Sequence, residues 1–297
     1  MSKTIPKVKC LSEFVRRVDR LRGEFGRQPH HELWFRGESF SYREECRETF
    51  LRPKLYRPRI RRDGVYAPLR SVNDLLQIES DLYDSFRHGA VQLSAEKAED
   101  ENWEWDSYLL MQHHSAPTRL LDWSDGSLIA LHFAVYTKTE CVGSSDAVVY
   151  VLDPDKLKDM PNSDLVEKSW KAFVKKHPSE GHSEYEWEYA YLPIDNKQRA
   201  KMDMPHVPDD PLVLEFPHIT RRVAAQRSRF VVFGRKAMWL ASKFGKPGSP
   251  ISEIIVDGDA RDVIKRQLRD CGITESTIFP DLDGLGRELE HLWEIRK

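Results

Sequence analysis

Hydrophobic positions recur along this chain at two periods, and they divide it into helices and strands before any single residue is weighed. Leu11, Phe14, Val15, Val18 and Leu21 share one helical face after Lys9 or Ser12, which predicts an opening amphipathic helix. Glu32-Leu33-Trp34-Phe35 reads as a strand that stops at Arg36-Gly37-Glu38-Ser39. From Asn73, the positions Leu75, Leu76, Ile78, Leu82, Tyr83 and Phe86 mark a second helix closed by Gly89. A third runs from Asn102 to His113 and is ended by Pro117. Leu128, Ile129, Leu131, Phe133, Ala134 and Tyr136 predict a fourth helix after Ser127, its positive end facing a loop with Asp122 and Trp123. Ala147 to Asp153 is a β-branched apolar run expected at the centre of a sheet, and strands follow at 211–216, 230–233 and 251–256. Ile219 to Gln226 reads as a short helix or turn, Asp259 to Cys271 as a helix capped by Gly272, and the segment after Pro280 as helical.

The stretch 156–210 breaks this order, being rich in Lys, Glu, Pro and Asn with clustered Trp and Tyr, and is expected to be a partly helical insertion. Strands and helices both recur along the chain, and the expectation is an α+β protein, one domain over 1–297 with the insertion inside it. Its 297 residues, 40% of them hydrophobic, suffice for a large core.

A net charge of −2 argues against binding nucleic acid through bulk charge. The segment 52–62, RPKLYRPRIRR, is a local basic patch, read either as a solvated extended loop or as a nucleic-acid contact. Cys10, Cys46, Cys141 and Cys271 show no CxxC spacing, so neither a zinc knuckle nor a disulfide framework is expected, and a reducing compartment fits. No apolar run approaches the roughly 20 residues that span a bilayer. The expectation is a soluble cytoplasmic protein with no membrane partner. Phosphate-loop, nucleophile-elbow and HExxH patterns are absent. The alternating Glu184, Glu186 and Glu188 read as an exposed edge or partner surface rather than a magnesium site.

Two runs carry chemistry. A glycine after Arg36 lets the backbone turn or approach a ligand and leaves the guanidinium free to fork onto an anion. The run from Met111 to Tyr136 packs two histidines, a Pro-Thr-Arg turn and Asp122 ahead of an apolar helix. Because His113 and His114 close a helix, its partial negative charge favours their protonated form. Adjacent and without partners at ligand spacing, they do not suggest a metal. Other readings stay open: Arg119 and Asp122 can pair to lock their turn, Trp34 and Trp123 can be core aromatics, and Arg222 and Gln226 can support each other on a surface.

Trp34-Phe35-Arg36-Gly37-Glu38, with Gln112-His113-His114-Ser115-Ala116-Pro117-Thr118-Arg119-Leu120-Leu121-Asp122-Trp123-Ser124, resembles the paired signature of the FRG-domain family. A third run, Arg222 to Phe230, is similar to a later motif of that family, with Ser228 where a glycine is usual. The order of these elements also resembles ADP-ribosyltransferase-type NAD sites, including Ala130 and Ala134 on the helix. That similarity implies a mixed or split sheet flanked by helices. It makes Arg36 the anion holder, the 118–124 turn the nicotinamide side, and Gln226 or Glu215 the late polar residue.

The catalytic candidates are therefore Arg36, Asp122, Gln226 and Glu215. Arg36, Gly37, Glu38, His113, Thr118, Arg119, Trp123 and Arg222 are the candidates for holding NAD, which enters as substrate. Arg36 and Arg119 would clamp phosphates, Asp122 or Glu38 would face the oxocarbenium-like ribose, and Trp123 or Trp34 would stack on a ring. Family resemblance implies a prokaryotic defence or toxin-type effector that cleaves NAD or transfers ADP-ribose, with a protein or nucleic-acid acceptor and an antitoxin or defence partner. The alternative is a nucleotide-sensing or nucleic-acid-binding module without chemistry. If the motifs form one site, Arg36, Arg119, Asp122 and Gln226 line a single cleft, with Arg36 within roughly 15 Å of Asp122.

Overall fold

A computed structural model describes residues 6–39, 50–58, 66–93, 103–136, 146–160, 163–176, 187–194, 207–215 and 220–293. Six strands form one sheet: β1 (Trp34–Glu38), β2 (Leu120–Ser124), β3 (Ala147–Leu152), β4 (Leu212–Leu214), β5 (Ser228–Val232) and β6 (Ile251–Val256). Their order is β4-β5-β2-β1-β3-β6, and every neighbouring pair is antiparallel. Around it lie α1 (Leu11–Glu24), α2 (Val72–Leu93), α3 (Trp103–His113), α4 (Ser127–Tyr136), α5 (Pro154–Lys158) and α6 (Ser163–Lys176). Then follow α7 (Arg221–Ala225), α8 (Trp239–Lys243), α9 (Arg261–Asp270), α10 (Glu275–Ile278) and α11 (Leu282–Leu292). The α+β class holds. Among the described residues the sheet is not mixed, and the one parallel element there is an isolated bridge between Val8 and Val256.

Strand alternation sorts side chains into two layers. On one face, Phe35, Val149, Val151, Ile254 and Val256 meet Phe14, Leu21, Leu131, Ile264 and Leu268 from α1, α4 and α9. Further along the same face, Leu120, Phe230, Val232 and Leu214 meet Tyr108, Leu109 and Trp170 of α3 and α6. The opposite face, with Trp34, Leu121, Trp123, Tyr150 and Val231, is covered by Phe50, Leu55, Tyr56, Trp239 and Leu240.

Several boundaries differ from the sequence reading. β1 does not stop at Arg36: Arg36, Gly37 and Glu38 pair with Tyr150, Val149 and Val148. Asp122 and Trp123 lie in β2, not in a loop, because the stretch from Leu120 to Ser124 pairs with β5 throughout. The helix from Asn73 passes through Gly89 to Leu93, since that glycine is helical and open to its surroundings. In the third motif Arg227 takes the left-handed conformation, φ 47°, and Ser228 is ordinary strand. β4 is shorter than expected and releases Glu215 from the sheet.

The 156–210 segment is partly helical, and it contributes to the core through Trp170, Ala190, Tyr191 and Leu192. Glu188 sits in a 3-10 turn at Trp187–Tyr191 rather than in a strand, while Glu184 and Glu186 lie outside the described residues. Of the basic segment, residues 52–58 are described; Arg52, Leu55 and Tyr56 are buried, so this part is not a solvated loop. Residues 59–62, Cys46 and Cys141 lie outside the described set, and Cys10 and Cys271 are free thiols. Among the described residues no helix is long and apolar enough to cross a membrane.

Helix α4 is buried on nearly all sides, as its predominantly apolar sequence requires. It rests directly on β1: a Cβ at Gly37 would lie 1.8 Å from the Ala130 carbonyl oxygen and 2.7 Å from the Ala134 nitrogen. The motif's glycine and the two alanines thus serve one close helix–strand contact. Gly37→Ala should overpack this contact and cost on the order of 3 kcal/mol in urea unfolding, and a neutral result would show that α4 can lift away freely.

The same helix buries His132, whose ring nitrogens have no hydrogen-bond partner among the described residues. Burial, aided by His291 and Lys265, pushes its pKa down from 6.5 to about 3. Glu275 stands 3.7 Å away, yet its carboxylate already receives Arg287 at 3.0 Å, so burial prevails. Between those two pKa values the unfolded chain binds a proton that the folded chain refuses, so stability falls as pH drops through this window. The loss by pH 4 should be on the order of 3 kcal/mol. His132→Phe should flatten that slope in pH-dependent denaturant titrations, and an unchanged slope would place the titrating group elsewhere.

Candidate functional site

β1 and β2 pair at one position alone, Phe35 opposite Ser124, whereas each pairs along its length with its other neighbour. A cleft of about 320 Å³ opens beside this weak seam. Arg36 spans the opening: Nε donates to Glu38 Oε1 at 3.0 Å, and a terminal nitrogen donates to the Asp122 backbone carbonyl at 2.9 Å. A side chain thereby takes the place of the absent ladder bond.

Asp122 reaches the cleft because β2 alternates there, with Leu121 and Trp123 turned into the core and Asp122 exposed. Its Oδ2 accepts a hydrogen bond from Gln112 Nε2 at 2.7 Å. Gln112 Oε1 in turn accepts from the hydroxyl of Thr118, which also receives the Leu120 backbone N–H at 3.2 Å. The carboxylate is therefore oriented by a buried threonine through an amide, and Oδ1 is left for the cleft.

Cations surround this carboxylate. The 3-10 turn at Lys54–Tyr56 runs along the Pro-Thr-Arg segment, with Leu55 N–H on the Thr118 carbonyl at 3.1 Å. It sets Lys54 and Arg57 against the cleft, Lys54 donating to the Ser115 carbonyl. Arg57 Nε donates to the Arg52 carbonyl at 2.9 Å, and its terminal nitrogens have no partner among the described residues. Its pKa is lowered by burial and by Arg36, against the pull of Glu38 and Asp122.

From the other side α7 supplies Arg222, which lies 4.7 Å over the Phe279 ring and has no ion pair among the described residues. Burial lowers its pKa too, with Asp281 and Asp122 acting in the opposite direction. Gln226 lines the same wall; its amide donates to the Ile278 carbonyl at 3.4 Å, and its backbone carbonyl accepts from Ser124 at 2.8 Å. Phe35, Phe133 and Phe230 form the apolar part of the lining.

The cleft thus gathers Arg36, Gly37, His113, Asp122, Trp123, Arg222 and Gln226 from three separated motifs. It does not gather Glu38, Thr118, Glu215 or Arg119. Glu38 stays outside the lining and holds Arg36 in place. Thr118 is buried and acts on Gln112. Glu215, beyond the end of β4, is an exposed partner of Lys158. Trp123 borders the cleft, but its side chain is buried in the core with Trp34, which is not a stacking position.

Arg119 is the largest correction, for it neither clamps a ligand nor pairs with Asp122. Fully buried, its Nε meets Glu79 of α2, one terminal nitrogen meets the Phe233 carbonyl at 3.0 Å, and the other meets the Tyr191 carbonyl. Its backbone N–H is shared by Glu79 at 2.8 Å and Tyr108 Oη at 2.9 Å. Burial opposes its charge, but Glu79 more than offsets this and raises its pKa.

Sequence reasoning did not single out Gln112, Lys54 or Arg57. Gln112 was visible as the first residue of its motif, and the apolar Leu55-Tyr56 between basic residues was the available sign that the basic segment docks. Among the described residues no group of His, Cys, Asp and Glu is arranged to hold a metal.

Residues 31–141 match the FRG domain family, a span that contains β1, β2, α4, the Lys54 turn and Asp122 but ends before Arg222 and Gln226. No curated protein and no solved structure matches the chain.

Arg119→Met leaves Glu79 as an unpaired buried charge and should cost about 3–5 kcal/mol. Pairing it with Glu79→Met should recover much of that loss in a double-mutant cycle. Additive effects of the two changes would show that the pair does not act as a unit.

Proposed function

From the match of residues 31–141 to the FRG domain family, we propose that the cleft binds a nucleotide of the NAD class and breaks the nicotinamide–ribose bond. One observation carries this reading: Arg57 and Arg222, both without an ion-pair partner among the described residues, flank Asp122 beside an aromatic wall. Two such forks suit phosphate oxygens, and the rings of Phe35, Phe133 and Phe230 suit a flat base. Asp122 is the only carboxylate in the described lining. As the bond breaks, its electron pair leaves with nicotinamide and positive charge grows on the ribose, where an ionised Asp122 lowers the barrier. Water then adds at C1′ and releases a proton to solvent.

The glycohydrolase outcome is favoured over transfer to a protein or nucleic acid, because the Gln226 amide cannot take a proton from an acceptor and Glu215 is elsewhere. A cytoplasmic effector of prokaryotic defence or toxin type, held by an antitoxin or defence partner, is the proposed setting, and it rests on the family resemblance. The likeness to an ADP-ribosyltransferase-type split sheet is supported by the single-pair seam between β1 and β2.

Incubation with NAD followed by mass spectrometry should show nicotinamide and ADP-ribose. Asp122→Asn keeps an oxygen for Gln112, so the variant should melt like the parent and lose turnover by roughly a hundredfold or more. Arg57→Ala should weaken NAD binding by roughly ten- to a hundredfold. Thermal stabilisation by NAD without nicotinamide release would favour the sensing module, and steeply salt-dependent binding of nucleic acid would favour the basic segment as its contact. If NAD produces neither stabilisation nor product, the reading fails.

A further inference from the structure

Helix α11 is held to the body by one side. Gly284 is its buried residue, close enough to Phe279 that a Cβ would lie 2.0 Å from the Phe279 carbonyl oxygen. Glu288 accepts the Ser276 N–H at 2.9 Å, and Arg287 donates to Glu275 at 3.0 Å. On the face turned away from these contacts, Leu282, Leu285, Leu289 and Leu292 are 84%, 44%, 46% and 47% exposed, and Trp293 is 77% exposed. The rest of the described chain exposes large apolar side chains singly, at Val15, Leu69, Met238 and Val263. Singly exposed residues of that kind need no explanation, whereas a continuous stripe does. An 11-residue helix containing two glycines also gains little from its own propensity.

The stripe itself indicates what covers it. Its leucines are spaced three, four and three residues apart, a pattern that reads the same in both directions. A second α11 laid antiparallel about a two-fold axis therefore places Leu282 against Leu292 and Leu285 against Leu289, twice over. Beside this seam Glu288 comes opposite Gly286, so no like charges meet, and the helix dipoles oppose favourably. A Cβ at Gly286 would meet nothing within 4 Å, which leaves room for the approaching backbone. Five side chains exposed to this degree offer roughly 500 Å² per copy, or about 1,000 Å² for the pair, the size at which specific interfaces begin.

We propose that the chain forms a homodimer through the α11 stripe, with the two helices antiparallel. An interface of this size is expected to dissociate in the micromolar range, so sedimentation equilibrium of the full chain over roughly 1–200 μM should resolve monomer and dimer. Leu285→Glu and Leu289→Glu alter side chains already exposed in the monomer. Each should retain the parent's circular dichroism and melting profile while raising the dissociation constant by roughly a hundredfold. Oxidation of an equimolar mixture of L282C and L292C should yield a disulfide between residues 282 and 292 of different chains, identified by mass spectrometry against the parent as background. A parent that stays monomeric throughout, dimerisation unaffected by either glutamate, or cross-linking dominated by 282 to 282 would each overturn the proposal.

Discussion

Arg119 is the fixed point from which the site is built. Its charge lies fully inside the protein, a position that is tolerable only because Glu79 neutralises it and the carbonyls of Phe233 and Tyr191 take its terminal nitrogens. Those four groups come from α2, the residue before β2, the residue after β5 and the 156–210 segment, so one guanidinium sets where four parts of the chain converge. Thr118, the residue before it, inherits that rigidity and passes it through Gln112 to Asp122. The orientation of the Asp122 carboxylate thus begins with a salt bridge that never meets solvent.

The opposite condition holds on the seam between β1 and β2. There the sheet has one paired position, and Arg36 bridges the remainder with a side chain. A gap in a sheet exposes backbone groups that need partners, and a cation that supplies one while leaning on Glu38 keeps the gap open without leaving the carbonyl unsatisfied. Arg57 and Arg222 border the same gap with spare donors, and burial above all lowers the pKa of both.

How much of this was legible depends on the range of the signal. Periodicity located α1 because it buries one regular face, whereas apolar runs located α4, β3 and β6 because these are buried on nearly all sides, and Arg36, Asp122 and Gln226 line one cleft. Local reading failed where the partner is distant. Arg119 and Asp122, three residues apart, suggested a pair, but strand alternation separates them and Glu79, forty residues upstream, takes the arginine. Lys54 and Arg57 looked solvated because their sequence is basic, whereas Leu55 and Tyr56 anchor them in the core. Glu215 seemed a strand residue, and the early end of β4 releases it to the surface.

Gly37 turns the spacing between α4 and the sheet into a dimension of the cleft. Phe133 and Ala130 belong both to that helix and to the cleft wall, so the wall stands as near to Asp122 as the absence of a single methyl group allows. In a related chain with any larger residue at this position, the helix would stand farther off, and the same set of charged groups would enclose a wider ligand.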